Sequence, residues 1–211
     1  MKILNRTPIP AEWRGLIQAA YVAPDGSQNA FLAMREVPGF VSKIVEVWLV
    51  SGDAKLGPFD YVSDVHVPLH PRKTCAYMHV GKKQFITWGE KRFGPLGDLD
   101  EVGFGSVRIE HLVAGPSGPC FVLSKIYGEN PHVFDGARGH GPYDWVDFFS
   151  LTDDGTACYI AGIGDSVSVC KGDEIISKFQ ETDPRAMIQW LGGKPSAFVG
   201  EGYVTYHIQP G

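Results

Sequence analysis

One three-residue pattern recurs five times along the chain: a small residue, then an aromatic ring, then an aliphatic side chain. The copies are Ala30-Phe31-Leu32, Ala76-Tyr77-Met78, Cys120-Phe121-Val122, Cys158-Tyr159-Ile160 and Ala197-Phe198-Val199. Counted from the small residue, the steps are 46, 44, 38 and 39 residues. A turn signal precedes each copy: PDGS at 24–27, HPRK at 70–73, GPSG at 115–118, TDDG at 152–155 and LGGK at 191–194. A β-branched or alternating run follows each: VEVWLV (45–50), FITW (85–88), HVF (132–134), SVSVC (166–170) and YVTYHI (203–208). Repetition at this period restricts the chain to architectures that stack one supersecondary unit against the next.

The unit reads as strands. Adjacent Pro, Asp and Gly favour a tight reversal. Short runs rich in Val, Ile, Phe, Tyr and Trp are strand chemistry. In a strand, neighbouring side chains point to opposite faces, so the ring of each triplet points one way and its small and aliphatic neighbours the other. Apolar groups on both faces imply a strand buried on both sides. A further element recurs: GPFD at 57–60 matches GPYD at 141–144, 84 residues later, about two repeat lengths. Asp183–Trp190 could open a helix, because Pro184 follows a capping Asp; the repeat places a strand over its later part instead.

A period near 40–45 with several strands per unit predicts an all-β fold, a five-bladed β-propeller of antiparallel sheets. The blades fall near 8–53, 54–95, 96–138, 139–178 and 179–211 with 1–7, in a single domain spanning 1–211. The last repeat ends soon after YVTYHI, so MKILNR at the N-terminus is expected to complete its sheet and cover an open edge. An incomplete ring closed by dimerisation is the alternative.

The strings PDGSQNAFLAM, GPFDYVSDVHVPLHPRKTCAYMHV and GPYDWVDFFSLTDDGTACYIAG resemble the bacterial WD-like (TolB-like) propeller repeat, an outer strand, G-P-x-Y-D, an inner strand, then S-P-D-G-K-x-x-A-Y. The copy at 141–161 matches best. The resemblance implies the fold and is nearly silent on function.

Composition narrows the partners. Hydrophobic residues make up 44% and charged residues 20%, enough for a core. The formal net charge of −5 argues against nucleic acid or an anionic membrane. MKILNRTPIPAEWRG carries no apolar run of secretory length. None of Cys75, Cys120, Cys158 and Cys170 lies in a C-x-x-C pair, so no zinc site or dithiol motif is signalled. Reduced cysteine and a cytoplasmic location are expected, with a processed secreted form as the alternative.

Candidate chemistry lies on the innermost strands, which would line a central channel. Aligned on the turns, Gln18, His66 (beside Val65), Glu110, Asp147 and Arg185 reach similar levels, with Asp64 close by. They form the predicted ligand-binding set. Glu110 and Asp147 could act as a carboxylate pair in a small glycoside hydrolase or lyase, if ~5–10 Å apart across an open funnel. His66, His70 and His79 fall in one repeat, but on elements too dispersed to read as a metal site. Asp153-Asp154-Gly155 lacks the rest of a calcium loop and reads as a β-turn; Gly103-Phe104-Gly105 lacks the context of a phosphate loop. Asp60 and Asp144 repeat, which favours tying a turn over catalysis. Trp13, Phe40, Trp145, Trp190 and Tyr203 are the aromatics outside the repeat core; Trp145, directly after GPYD, is expected between blades.

The resulting expectation is a non-catalytic binding or interaction propeller. Its partner is an unknown protein or a small polar ligand, its site is at one end of the channel, and it needs no cofactor or metal. A monomer is expected.

Overall fold

The computed structural model describes residues 9–39, 42–68, 73–99, 105–125, 130–136, 138–152, 154–180, 187–191, 194–201 and 204–208, with the backbone alone at Phe148 and from Phe179 onward. The described residues form an all-β chain, with one 3-10 turn at Ala11–Trp13 and no α-helix. No helix among them is long and apolar enough to cross a membrane.

The strands form five sheets in chain order. The first sheet is β1 (Ile17–Val22), β2 (Asn29–Pro38), β3 (Lys43–Ser51) and β4 (Ala54–Phe59); the second is β5 (Tyr61–His66), β6 (Cys75–Val80), β7 (Lys83–Trp88) and β8 (Lys91–Asp98). The third is β9 (Val107–Ala114), β10 (Pro119–Lys125), β11 (His132–Asp135) and β12 (Gly139–His140). The fourth is β13 (Trp145–Leu151), β14 (Ala157–Ile163), β15 (Ser166–Lys171) and β16 (Glu174–Gln180); the fifth is β17 (Met187–Leu191), β18 (Lys194–Glu201) and β19 (Val204–Ile208). Each sheet meanders, with neighbours in sequence hydrogen-bonded side by side. Residues 187–191 are strand, as the repeat predicts, while the N-terminal MKILNR lies outside the described residues.

The chain divides into two compact units: Met1–Ser106 with Leu112–Ala114, and Val107–His111 with Gly115–Gly211. In the first unit, Leu32, Val47, Leu49, Phe59, Val62, Ala76 and Met78 are buried in one core cluster drawn from the first two sheets. In the second, Val122, Val133, Tyr159, Ile160 and Val167 are fully buried.

The ladders fix the true register of the repeat. Ala30 pairs with Ser51, Cys75 with Trp88, Cys120 with Asp135 and Cys158 with Lys171. In all four sheets the partner immediately precedes a turn glycine: Gly52, Gly89, Gly136 or Gly172, each at positive φ. The equivalent small residues are therefore Ala30, Cys75, Cys120 and Cys158, all buried. The second triplet, read from the sequence as Ala76-Tyr77-Met78, is one residue late. A slip of one turns a side chain to the opposite face, so Tyr77 does not share the face of Phe31, Phe121 and Tyr159.

Gly57–Pro58, Gly94–Pro95 and Gly141–Pro142 stand at equivalent places in the first three sheets, so the two copies read from the sequence have a third. Their glycines have φ of 146°, 126° and 116°, which favours glycine. The repeated aspartates tie turns, since Asp60 Oδ2 accepts from Gly81 N at 2.6 Å and Asp144 Oδ2 from Gly164 N at 2.7 Å. Both glycines follow the second strand of their sheet, so one carboxylate closes the same hairpin twice. Trp145 packs across Gly162, where a Cβ would stand 2.1 Å from Nε1.

Candidate functional site

Gln18, His66, Glu110 and Asp147 lie on the first strands of four sheets, and bulges decide where Gln18, His66 and Asp147 fall. Gln18 is the extra residue between Ile17 (opposite Ala33) and Ala19 (opposite Leu32), and it is exposed. His66 pairs with Cys75 just past a bulge at 64–65, where Asp64 has φ 48°. Asp147 pairs with Ile160 just before the bulge at 148–149. A bulge re-aims the strand that carries it. Counted from the common rung of Cys75 and Cys158, His66 stands on that rung and Asp147 two rungs away, while Gln18 lies beside the rung equivalent to that of Asp147. Gln18 and His66 belong to the first unit, Glu110 and Asp147 to the second; Arg185 lies outside the described residues.

Each also has its own surroundings. His66 Nδ1 accepts the Ala114 N–H at 3.0 Å. Glu110 lies 2.9 Å from Arg108 and is about one-third exposed. Asp147 is exposed. His79 Nε2 lies 2.7 Å from the Tyr77 hydroxyl, and burial lowers its pKa against the pull of Asp60. His70 lies outside the described residues. Asp154 accepts from the Thr156 N–H at 3.0 Å and bonds the Thr152 hydroxyl, which together hold its carboxyl at about 2; it closes a turn. Among the aromatics, Trp13 is buried against Trp48, with ring centroids 5.6 Å apart, and Phe40 and Tyr203 lie outside the described residues.

A further polar cluster lies in a cleft of about 470 Å³ between the third and fourth sheets of the second unit. His140 is its centre. At the end of the short strand β12 its side chain is 2% exposed, with Nε2 2.8 Å from Asp135 Oδ2 and Nδ1 2.5 Å from Asp173 Oδ1. Burial opposes a charge on the imidazole, but the hydrogen bonds and fields of the two carboxylates outweigh it and raise the pKa above 6.5. The protonated ring donates at both nitrogens. Arg138 reaches Asp173 at 3.8 Å, and Asp154, Lys171 and Glu174 add to the charged rim. Behind the histidine, the hydroxyls of Tyr143 and Tyr159 lie 2.7 Å apart, and Tyr159 donates to the Gly172 carbonyl at 3.0 Å. Burial raises both phenols.

The first unit has a cleft at equivalent rungs, also about 470 Å³. Leu56 pairs with Leu49 as His140 pairs with Val133, two residues before the rung of Ser51 and Asp135. Where the first unit presents Ser51, Ala54 and Leu56, the second presents Asp135, Arg138 and His140. The sequence carries a faint trace of this exchange. The residue before Gly-Pro is Leu56, then Phe93, then His140, so a polar ring fills a slot that is otherwise apolar.

No group of three His, Cys, Asp or Glu among the described residues is placed to hold a metal ion. Compared with known protein families, curated proteins and solved structures, the chain matches none.

Proposed function

We propose that the chain is a five-bladed β-propeller, resembling the bacterial WD-like kind, and that it works as a non-catalytic binding module for a small, neutral, hydroxyl-rich ligand. Five consecutive meandering sheets support the blade count. The observation that carries the binding reading is the replacement of Ser51, Ala54 and Leu56 by Asp135, Arg138 and His140 at equivalent rungs. Packing alone does not require that change, because the first unit forms the same cleft without it. The altered cleft holds both acceptors (Asp173, Glu174) and donors (Arg138, Lys171). Vicinal hydroxyls, each both donor and acceptor, suit such a lining. The turns at 115–118 and 152–155 wall it through Ser117 and Gly155, which fits a site built from loops at one end of the blades.

The reading favours binding over catalysis because both nitrogens of the buried histidine are already held by carboxylates, which leaves no free ring nitrogen to take a substrate proton. The experiment is a panel of neutral mono- and disaccharides and polyols screened by saturation-transfer NMR. The comparison protein is Asp135→Ser/His140→Leu, which installs the first unit's residues. Binding to the wild type alone is expected. Equal binding to both proteins, or none to either, overturns the reading.

A further inference from the structure

We propose that the cleft of the first unit is a second binding site, for a small organic carboxylate with an apolar body. Its volume, about 470 Å³, is that of a small-molecule pocket. One wall is apolar: Leu49 is 1% exposed, and Leu56 and Ala54 are half-buried. The other carries two ammonium groups. Lys73 Nζ stands 4.7 Å and Lys91 Nζ 5.9 Å from the centroid of the Trp88 ring. Trp88 is itself only 9% exposed, so both charges rest on a largely buried aromatic surface.

The position of Lys73 is set by its surroundings. Its stem crosses Gly89, where a Cβ would stand 2.7 Å from Lys73 Cδ. Gly89 N donates to the Thr74 carbonyl at 2.8 Å, locking the turn beneath it. The Ser51 and Thr74 hydroxyls are 2.9 Å apart at the floor.

Neither lysine forms an ion pair among the described residues, and Glu90 is the only carboxylate among those lining this cleft. The lining therefore has an excess of positive charge beside an apolar wall. Inorganic anions match the lysines but leave the leucines facing water, and neutral apolar molecules match the leucines only. A carboxylate on an aliphatic or aromatic body satisfies both. The equivalent cleft of the second unit sets Asp135, Asp154, Asp173 and Glu174 against Arg138, Lys171 and the protonated His140, so carboxylates outnumber cations there and it suits the same anion less well.

The test is calorimetric titration of the full chain with octanoate, beside 1-octanol as the uncharged molecule of the same body. Octanoate is expected to bind about tenfold more tightly than octanol, as a charge-assisted contact implies. Lys73→Met/Lys91→Met should erase that preference with its circular dichroism unchanged, while Asp135→Ser/His140→Leu should leave octanoate binding as in the wild type. Because the lysine variant also alters contacts with Trp88, Ala54→Trp serves as a second one; it fills the cleft from the apolar wall and should exclude both molecules. Equal affinity of the wild type for octanoate and octanol, undiminished octanoate binding in the double lysine variant or in Ala54→Trp, or no octanoate binding at all overturns the proposal.

Discussion

Asp173 Oδ1 lies 2.5 Å from His140 Nδ1, so a buried imidazole fastens a turn of the fourth sheet to the outermost strand of the third. The other ring nitrogen is held by Asp135, in the strand next to its own. The imidazole is buried and Asp135 nearly so, while Asp173 is 71% exposed, so it is the histidine that depends on its partners to offset desolvation. The latch is thus a point where protonation and stability are linked.

The sign of that link follows from the raised pKa of His140. Below its ordinary value of 6.5 the ring is protonated in folded and unfolded chains alike, and the latch contributes in full. As pH climbs through the higher folded value, the charge and its stabilisation are lost. Urea midpoints of the wild type should fall from mildly acid to mildly alkaline pH. His140→Leu should be less stable by about 1–3 kcal/mol at the acid end, with that slope largely removed. A wild-type midpoint that rises over the same range would contradict the latch.

Glycine substitutions separate steric need from backbone need. Gly52 sits at φ 58° with nothing within 4 Å of where a Cβ would stand, so Gly52→Ala meets only the left-handed backbone, about 1–2 kcal/mol. Gly57 sits at φ 146°, where a Cβ would stand 2.9 Å from both Trp48 Cδ2 and the Val47 carbonyl. Gly57→Ala should therefore cost more than Gly52→Ala in the same denaturation assay. Equal losses would mean that Trp48 yields freely.

The repeated aspartates should behave alike. Asp60→Ala and Asp144→Ala each remove the acceptor for one turn amide, at 2.6 and 2.7 Å. Each loss should be about 1 kcal/mol, since both carboxylates are exposed and water replaces part of the bond. Hydrogen exchange should quicken at Gly81 in the first variant and at Gly164 in the second. Unchanged exchange at these amides would remove the assigned role.

These same positions show what the sequence could and could not reveal. Turn chemistry and strand composition are local, so the strands, their order and the tying role of Asp60 and Asp144 were legible. Register was less so. Cys75-Ala76-Tyr77 and Ala76-Tyr77-Met78 are both plausible readings of one string, and only pairing with Trp88 beside Gly89 selects the first. Bulges hid the levels of Gln18, His66 and Asp147, because an extra residue in one strand is invisible until its partner is known. The His140 cluster was missed for another reason. Asp135 and Asp173 are 38 residues apart in different sheets, and only the polar residue in the slot of Leu56 and Phe93 hinted at it.

The cysteines offer a last test, of packing rather than charge. Cys75, Cys120 and Cys158 occupy one equivalent rung, and Cys170 pairs opposite Tyr159; none of the four is in a disulfide and all are buried. Burial pushes the Cys158 and Cys170 thiols up to about 11. Near pH 8 such thiols are overwhelmingly protonated, and the thiolate is the reactive form. Iodoacetamide near pH 8 should leave all four unmodified in the native protein and label all four in urea, as read by intact mass. Labelling of the native chain should follow the rate at which the sheets open, so a variant that weakens the fourth sheet, such as Asp144→Ala, should speed it at Cys158 and Cys170 first. Rapid native labelling of either would show that the interior of the fourth sheet is not closed as described.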